Sequence, residues 1–108
     1  MQEIGHWING QLVKGTSGRF ADVYNPATGE VQAKLALASV AELDAAINDA
    51  AKAQVGWAAT NPQRRARVMM AFGQLINQNM DKLAEMLSRE HGKTIPDAKG
   101  DVQRGLEV

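Results

Sequence analysis

The sequence predicts an α+β fold in which short antiparallel N-terminal strands precede about four helices. This prediction rests on a hairpin signal near the N-terminus, an alternating apolar pattern over residues 30–38, and helix-capping sequences after residue 38. Strands and turns are expected over residues 1–38, and a helical segment over residues 39–108. Because no strand pattern separates the first three helices, they do not belong to a βαβ unit.

The strand region is defined by its turns. Asn9-Gly10 separates two short apolar runs, and this dipeptide suits the positive φ angles of a type I′ turn, so we expect a tight hairpin. Residues 20–24 form a further extended run. Residues 25–29 (Asn-Pro-Ala-Thr-Gly) read as a turn, because proline fixes φ at the second position. Residues 30–38 then alternate between apolar and polar side chains, as a half-buried strand does.

The first two helices are predicted from their N-terminal residues. Ser39 and Glu42 have the spacing of a capping box, in which each side chain accepts a hydrogen bond from the backbone of the other residue. This helix is expected to end near Val55-Gly56. Asn61 and Pro62 suit the N-cap and first helical positions of the second helix.

The third and fourth helices are predicted from the residues at their ends. Residues 77–79 interrupt the apolar stripe of the second helix, and Gly92 suits the left-handed position that ends the third. The fourth begins near Thr94 or Ile95 and contains two glycines, each costing roughly 1 kcal/mol relative to alanine. It has no terminating signal before residues 106–108, Leu-Glu-Val. We therefore expect a chain cut within an element, its glycines packing against a part that lies outside it.

Composition and charge exclude several classes of function. The sequence has 12 Lys and Arg against 12 Asp and Glu, so it lacks the basic excess that nucleic-acid binding requires. It contains no cysteine, which excludes disulfides, thiolate metal sites and a cysteine nucleophile within these residues. No apolar run approaches the roughly 18 residues of a membrane span, and the N-terminus has no signal-peptide pattern. We expect a soluble cytoplasmic protein without nucleic-acid or membrane partners.

Gly92-Lys93-Thr94 superficially fits the end of a phosphate-binding loop. The full motif needs a glycine five positions earlier, where this sequence has Leu87, and a preceding buried strand, where it predicts a helix. We therefore interpret the segment as a helix cap followed by a solvated Lys93 and an N-cap Thr94.

Other side chains with potential chemistry are also assigned structural roles. His6 and His91 are the only histidines, and we expect the first on a strand surface and the second at a helix end, without a metal site. Ser17 is a loop residue, because its surroundings do not follow the nucleophile pattern G-x-S-x-G. Asp101 and Arg104 are spaced for an exposed ion pair. The sequence thus predicts no catalytic, cofactor-binding or metal-binding residue.

Three segments of the chain resemble the aldehyde dehydrogenase superfamily. Residues 25–30 (Asn-Pro-Ala-Thr-Gly-Glu) look like its N-terminal turn, and residues 43–57 like its first helix. Residues 92–94 and 97–108 (Asp-Ala-Lys-Gly-Asp-Val-Gln-Arg-Gly-Leu-Glu-Val) are similar to its CoA-acylating methylmalonate-semialdehyde branch. The resemblance covers essentially the whole chain and implies the truncated start of the nucleotide-binding domain of a parent with the α/β aldehyde dehydrogenase fold.

For that parent, the resemblance implies oxidation of an aldehyde by NAD through a cysteine thioester, whose acyl group passes to coenzyme A with loss of carbon dioxide. The family's cysteine, acid–base glutamate, oxyanion asparagine and nucleotide-binding residues belong to later parts of its pattern, so none is carried over to this sequence. Some relatives hold a monovalent cation at the places of Tyr24 and Glu90; we interpret Glu90 as a helix-end residue. NAD and coenzyme A are implied for the parent, and no cofactor for this segment.

We therefore expect an N-terminal fragment of an NAD-dependent, CoA-acylating dehydrogenase of methylmalonate semialdehyde, inactive alone. Its expected partner is the remainder of the dehydrogenase subunit, and exposed apolar surface predicts self-association of the fragment. A free-standing helical interaction module and a fragment with only a structural role are the alternatives. A module should have a capped last helix and a polar outer face.

Overall fold

Five strands precede four helices in the chain, and the computed structural model describes residues 1–108. The strands are β1 (Gln2–Ile4), β2 (His6–Ile8), β3 (Gln11–Val13), β4 (Phe20–Tyr24) and β5 (Val31–Ala36). The helices are α1 (Val40–Ala59), α2 (Pro62–Gln78), α3 (Met80–His91) and α4 (Ile95–Glu107). The predicted order of short strands followed by about four helices is confirmed. No helix is both long enough and apolar enough to cross a membrane.

The strands form a three-stranded sheet and a separate hairpin. The hairpin pairs β2 with β3, and both Asn9 and Gly10 in its turn have positive φ, 52° and 71°, as their sequence predicts. In the sheet, the order is β1-β5-β4, with β4 antiparallel to β5. However, β1, which was not predicted as a strand, pairs with β5 in parallel, so the sheet is mixed rather than wholly antiparallel. The intervening chain, which includes the hairpin and β4, is long enough for the crossover that parallel pairing needs.

Strand β5 is covered on both faces near its C-terminal end, which its alternating sequence did not predict. Ala33 lies on the expected apolar face and is buried, but Ala36, on the opposite face, is buried as well, while Leu35 is partly exposed. The loop around Gly15 explains this difference. A Cβ atom at Gly15 would lie only 2.9 Å from the Cβ of Ala36, so the loop backbone packs directly on this face of the strand.

Helix α1 runs to Ala59, so the predicted end near Val55-Gly56 was wrong. A single glycine lowers helix stability without ending the helix. Helix α1 instead ends shortly before Pro62, because proline disfavours helical φ and ψ at the residue that precedes it. Asn61 there accepts a hydrogen bond from the N–H of Gln63 (2.8 Å) and caps α2 as predicted.

The chain divides into two compact units, each with few buried side chains. One unit comprises residues 1–24 and 31–60, and the other comprises residues 25–30 and 61–108. The buried apolar residues are all alanines: Ala33, Ala36, Ala84 and Ala98. Neither α1 nor α2 contains a buried residue, and large apolar side chains such as Leu43, Ile47 and Phe72 are exposed.

Candidate functional site

In the first unit, Glu42 lies at the centre of a polar cluster at the start of α1. The predicted capping box is present: the N–H of Glu42 donates to the hydroxyl of Ser39 (3.1 Å), and the N–H of Ser39 donates to the Glu42 carboxylate (3.0 Å). The N–H and hydroxyl of Thr16 also donate to this carboxylate. The cluster therefore ties the loop before β4 to the helix start.

These hydrogen bonds keep Glu42 ionised. The Thr16 hydroxyl, the Thr16 N–H and the Ser39 N–H, in that order, lower the pKa of Glu42 to about 2, because each donates to the charged form. A carboxylate with so low a pKa is a poor proton acceptor near neutral pH. The arrangement thus assigns Glu42 to holding the loop and helix together rather than to acid–base chemistry.

His6 belongs to the same cluster, which corrects the expectation that it lies on a strand surface. Its Nε2 atom lies 3.8 Å from the Glu42 carboxylate, and its side chain is only 18% exposed. Nε2 itself is buried without a hydrogen-bond partner. The strand position was predicted correctly, but Glu42 of α1 lies beside the imidazole, and a three-residue strand gives no periodicity from which to read the face to which this side chain points.

In the second unit, Gly92-Lys93-Thr94 joins α3 to α4. A helix, and not a buried strand, precedes this segment, which agrees with the interpretation that it is not a phosphate-binding loop. Gly92 ends α3 in the left-handed conformation (φ 83°), and its N–H donates to the carbonyl of Ser88 (2.8 Å). The Thr94 hydroxyl accepts from the N–H of Asp97 (3.4 Å) and caps α4. The glycine and threonine therefore have the predicted roles, in a helix–helix connection.

Lys93, by contrast, is not solvated as predicted. Its amino group forms an ion pair with Asp101, and Asp101 also forms the predicted pair with Arg104. The Lys93 amino group and then the Arg104 guanidinium lower the pKa of Asp101. The lysine was misassigned because Asp101 lies eight residues away and reaches it only through the bend between α3 and α4.

The turn over residues 25–30 packs against this helix–helix connection. Asn25 closes the turn: its N–H donates to the carbonyl of Glu30 (2.8 Å) and its side chain accepts from the N–H of Ala27 (2.9 Å). A Cβ atom at Gly92 would lie 3.0 Å from Cγ of Pro26. Two segments that carry the family resemblance therefore contact each other, a proximity that the linear sequence does not reveal.

The remaining candidate residues, Ser17 and His91, have structural roles. The Ser17 hydroxyl donates to the carbonyl of Leu37 and accepts from the N–H of Arg19, so this loop residue is held by its neighbours. His91 is the last residue of α3, as predicted. The structure contains no group of three or more His, Cys, Asp or Glu side chains placed to hold a metal ion.

These elements form a recognisable part of a larger enzyme fold. Residues 12–108 match the aldehyde dehydrogenase family, and the chain belongs to this family. Among solved structures, it superposes with a TM-score of 0.96 on a chain assigned as a methylmalonate-semialdehyde dehydrogenase from Sinorhizobium meliloti 1021 complexed with NAD, at 67% identity. The match covers 99% of this chain and 22% of that one. The resemblance to the methylmalonate-semialdehyde branch is thereby confirmed.

Curated relatives agree with this assignment. Malonate-semialdehyde dehydrogenase of Pseudomonas aeruginosa is 44% identical over 99% of this chain and 21% of its own length. A probable acylating methylmalonate-semialdehyde/malonate-semialdehyde dehydrogenase of Dictyostelium discoideum is 43% identical over 94% of this chain and 19% of its own length. The chain therefore spans about a fifth of the length of these relatives.

Proposed function

We propose that this chain corresponds to the N-terminal segment of an NAD-dependent, CoA-acylating dehydrogenase of methylmalonate or malonate semialdehyde, and that it is inactive alone. The observation that carries the proposal is the 67% identity to the Sinorhizobium meliloti chain over 99% of this sequence. That structure contains NAD, and the Dictyostelium relative is named as acylating, which supports the two cofactors for a family-length protein.

In the proposal, this chain supplies neither the nucleophile nor the cofactor sites. The thioester that the family resemblance implies requires a thiolate, and the sequence has no cysteine. NAD would need backbone amides arranged around its phosphates. The glycine segment that comes nearest to that pattern ends α3, and its Lys93 amino group is paired with Asp101. The glycine segment therefore does not fit NAD, and we propose that the NAD and coenzyme A sites both lie in the other four-fifths of a family-length chain.

An exchange experiment tests this proposal. This chain replaces the matched segment of the Sinorhizobium meliloti protein to give a full-length chimera, which is compared with the 108-residue chain and with the unmodified protein. With methylmalonate semialdehyde, the chimera should form NADH, and with coenzyme A present it should form an acyl-CoA. The 108-residue chain should form neither product.

Two results would contradict the proposal at different levels. NADH formation by the 108-residue chain would show that the segment carries its own catalytic groups. A chimera that releases only the free acid, even with coenzyme A present, would remove the acylating branch and leave the family assignment standing.

A free-standing helical interaction module is the second candidate. The observation in its favour is the exposure of large apolar side chains on α1, such as Leu43 and Ile47, since exposed apolar patches mark interaction sites. The two candidates differ in what restores function. A module needs only the 108 residues to bind its partner, whereas a dehydrogenase segment is active only within a family-length chain.

A further inference from the structure

The turn of the β2–β3 hairpin places an asparagine directly before a glycine. Asn9 and Gly10 are both exposed, and Asn9 is the only non-glycine residue of the chain with positive φ. A Cβ atom added at Gly10 would meet nothing within 4 Å. The N–H of Gly10 lies outside the paired strands and takes part in none of the turn hydrogen bonds. The backbone nitrogen of Gly10 is therefore free to react with the Asn9 carboxamide beside it.

An asparagine in this setting can lose its amide nitrogen without a catalyst. The Gly10 nitrogen attacks Cγ of Asn9, its proton passes to the departing Nδ2, and ammonia leaves behind a cyclic imide. Water then opens the imide at either carbonyl, which gives a normally linked aspartate or a β-linked isoaspartate. One water is consumed and one ammonia is released, with no oxidation. Glycine favours the attack because it has no Cβ and reaches φ and ψ values closed to other residues.

The other five asparagines of the chain each lack a feature that this reaction needs. Asn25 and Asn61 precede prolines, whose nitrogen has no hydrogen to lose. Asn48 and Asn77 lie within α1 and α2, where the helix holds the backbone that follows them. The side-chain amide of Asn79 donates to a backbone carbonyl of α2 (2.8 Å). The hairpin turn is thus the place in the chain where these features coincide.

The hairpin is also held weakly enough to reach the reactive geometry. Strands β2 and β3 have three residues each and pair only with one another, outside the three-stranded sheet. An isolated two-stranded hairpin is only marginally stable, and weakly held elements open locally while the rest of the chain stays folded. The Asn9 side chain can therefore turn towards the Gly10 nitrogen without global unfolding.

A carboxylate at position 9 would enter a groove that already carries negative charge. Asn9, Trp7 and Asp49 line an open groove of about 500 Å³ between the hairpin and α1. An adjoining groove is lined by Asn9 and Asp49 together with Glu42. No Lys or Arg side chain lines either groove. A new negative charge there would be repelled by its neighbours without a cation to offset the repulsion.

We propose that Asn9-Gly10 is a site of spontaneous deamidation in the folded chain, and that the resulting carboxylate loosens the hairpin from α1 through repulsion by Asp49. The β-linked product also adds a carbon to the backbone, which a two-residue turn cannot accommodate while Ile8 stays paired with Gln11. This chemistry goes beyond the proposed function and requires no cofactor or substrate other than water.

Peptide mapping by mass spectrometry tests the site. The 108-residue chain is incubated at neutral pH, dilute and below its melting temperature, beside the same chain in urea. Conversion of amide to acid should be at least about tenfold faster at Asn9 than at any other asparagine, and should keep at least about a tenth of its rate in urea, since opening of the hairpin is local. An isoaspartyl methyltransferase should detect the β-linked product.

Two controls accompany this measurement. Asn48 is exposed as well but lies within α1, so it separates the effect of the turn from that of exposure. Asn9→Gly accepts positive φ at no steric cost and should abolish the appearance of more acidic species. An Asn9 amide that stays intact while the chain in urea is converted would overturn the proposal, and so would faster conversion at Asn48. A chain without helical circular dichroism in buffer would also contradict it, because the reaction would then belong to the unfolded state.

Variants at positions 9 and 49 test the consequence of the new charge. Aspartate before Gly10 suits the same turn, so Asn9→Asp changes the charge and keeps the geometry. This variant should lower the melting temperature at low salt by about 1–4 °C, as expected for a like-charge pair. The loss should disappear in high salt and in a chain that also carries Asp49→Asn. An undiminished loss with Asp49→Asn present would rule out repulsion by Asp49.

Discussion

At the scale of single residues, the Glu42 carboxylate makes the stability of the first unit depend on pH. Its pKa falls from 4.5 to about 2 in the folded chain, so the folded state holds this proton less tightly than the unfolded state. The stabilising contribution is complete above about pH 4.5 and is lost as the pH falls towards 2. We expect Glu42→Gln to lower the melting temperature near neutral pH and to weaken its dependence on pH in this window, as measured by circular dichroism.

Glu85→Gln is the matched control for this prediction. Glu85 lies exposed on α3 and pairs with Arg89 one helical turn away, at 3.4 Å. Surface pairs of this spacing are worth only about 0.3–0.5 kcal/mol. If the two glutamine variants changed the acid dependence equally, the cluster around Glu42 would not be its source.

The same cluster shows which residue-level features a sequence can reveal. The capping pair of Ser39 and Glu42 was predictable, because its two hydrogen bonds connect residues three positions apart. Thr16 was not, because it reaches Glu42 from 26 residues away through the folding of a loop. The corrections at His6 and Lys93 have the same cause: each side chain meets a partner that is distant in sequence.

At the scale of elements, the connection between α3 and α4 depends on one glycine for two reasons. Gly92 has φ of 83°, a conformation that costs a non-glycine residue roughly 1–2 kcal/mol. Its backbone also lies so close to Pro26 that a Cβ atom would sit 3.0 Å from Cγ of the ring. We expect Gly92→Ala to lower the free energy of unfolding by about 2 kcal/mol, measured by urea denaturation.

Gly105 in α4 provides the comparison. No atom outside the immediate helix lies within 4 Å of a Cβ added there, and its φ is not positive. Gly105→Ala should therefore raise the free energy of unfolding by up to about 1 kcal/mol, the difference in helix propensity. A similar loss of stability in both variants would show that neither the positive φ of Gly92 nor its contact with Pro26 causes the destabilisation by Gly92→Ala.

Element boundaries were predictable only where local chemistry sets them. Asn61 and Pro62 start α2 as expected, because capping and proline geometry act within a few residues. Strand β1 was not predicted, since Gln2–Ile4 has too few residues to show a period and owes its conformation to pairing with β5. The family resemblance of the turn over residues 25–30 could be recognised from the sequence. The packing of this turn against Gly92 could not, because it depends on the folded structure.

At the scale of the whole molecule, the chain combines a small core with a large apolar surface. Its buried apolar residues are alanines alone, and large apolar side chains such as Phe72 and Leu75 are more than half exposed. Burial of apolar area is the main source of folding stability. We therefore expect the 108-residue chain to be marginally stable and to self-associate as its concentration rises.

Sedimentation velocity over a range of concentrations measures this self-association, and a thermal melt followed by circular dichroism measures stability. Because apolar side chains are exposed on several helices, association should give a broad distribution of sizes rather than one defined dimer. Phe72→Asp should reduce it by placing a charge on one of these surfaces. A compact monomer at all concentrations with a cooperative melt above roughly 65 °C, beyond the usual mesophile range, would contradict the prediction, because such a chain would not need further polypeptide to cover its apolar surface.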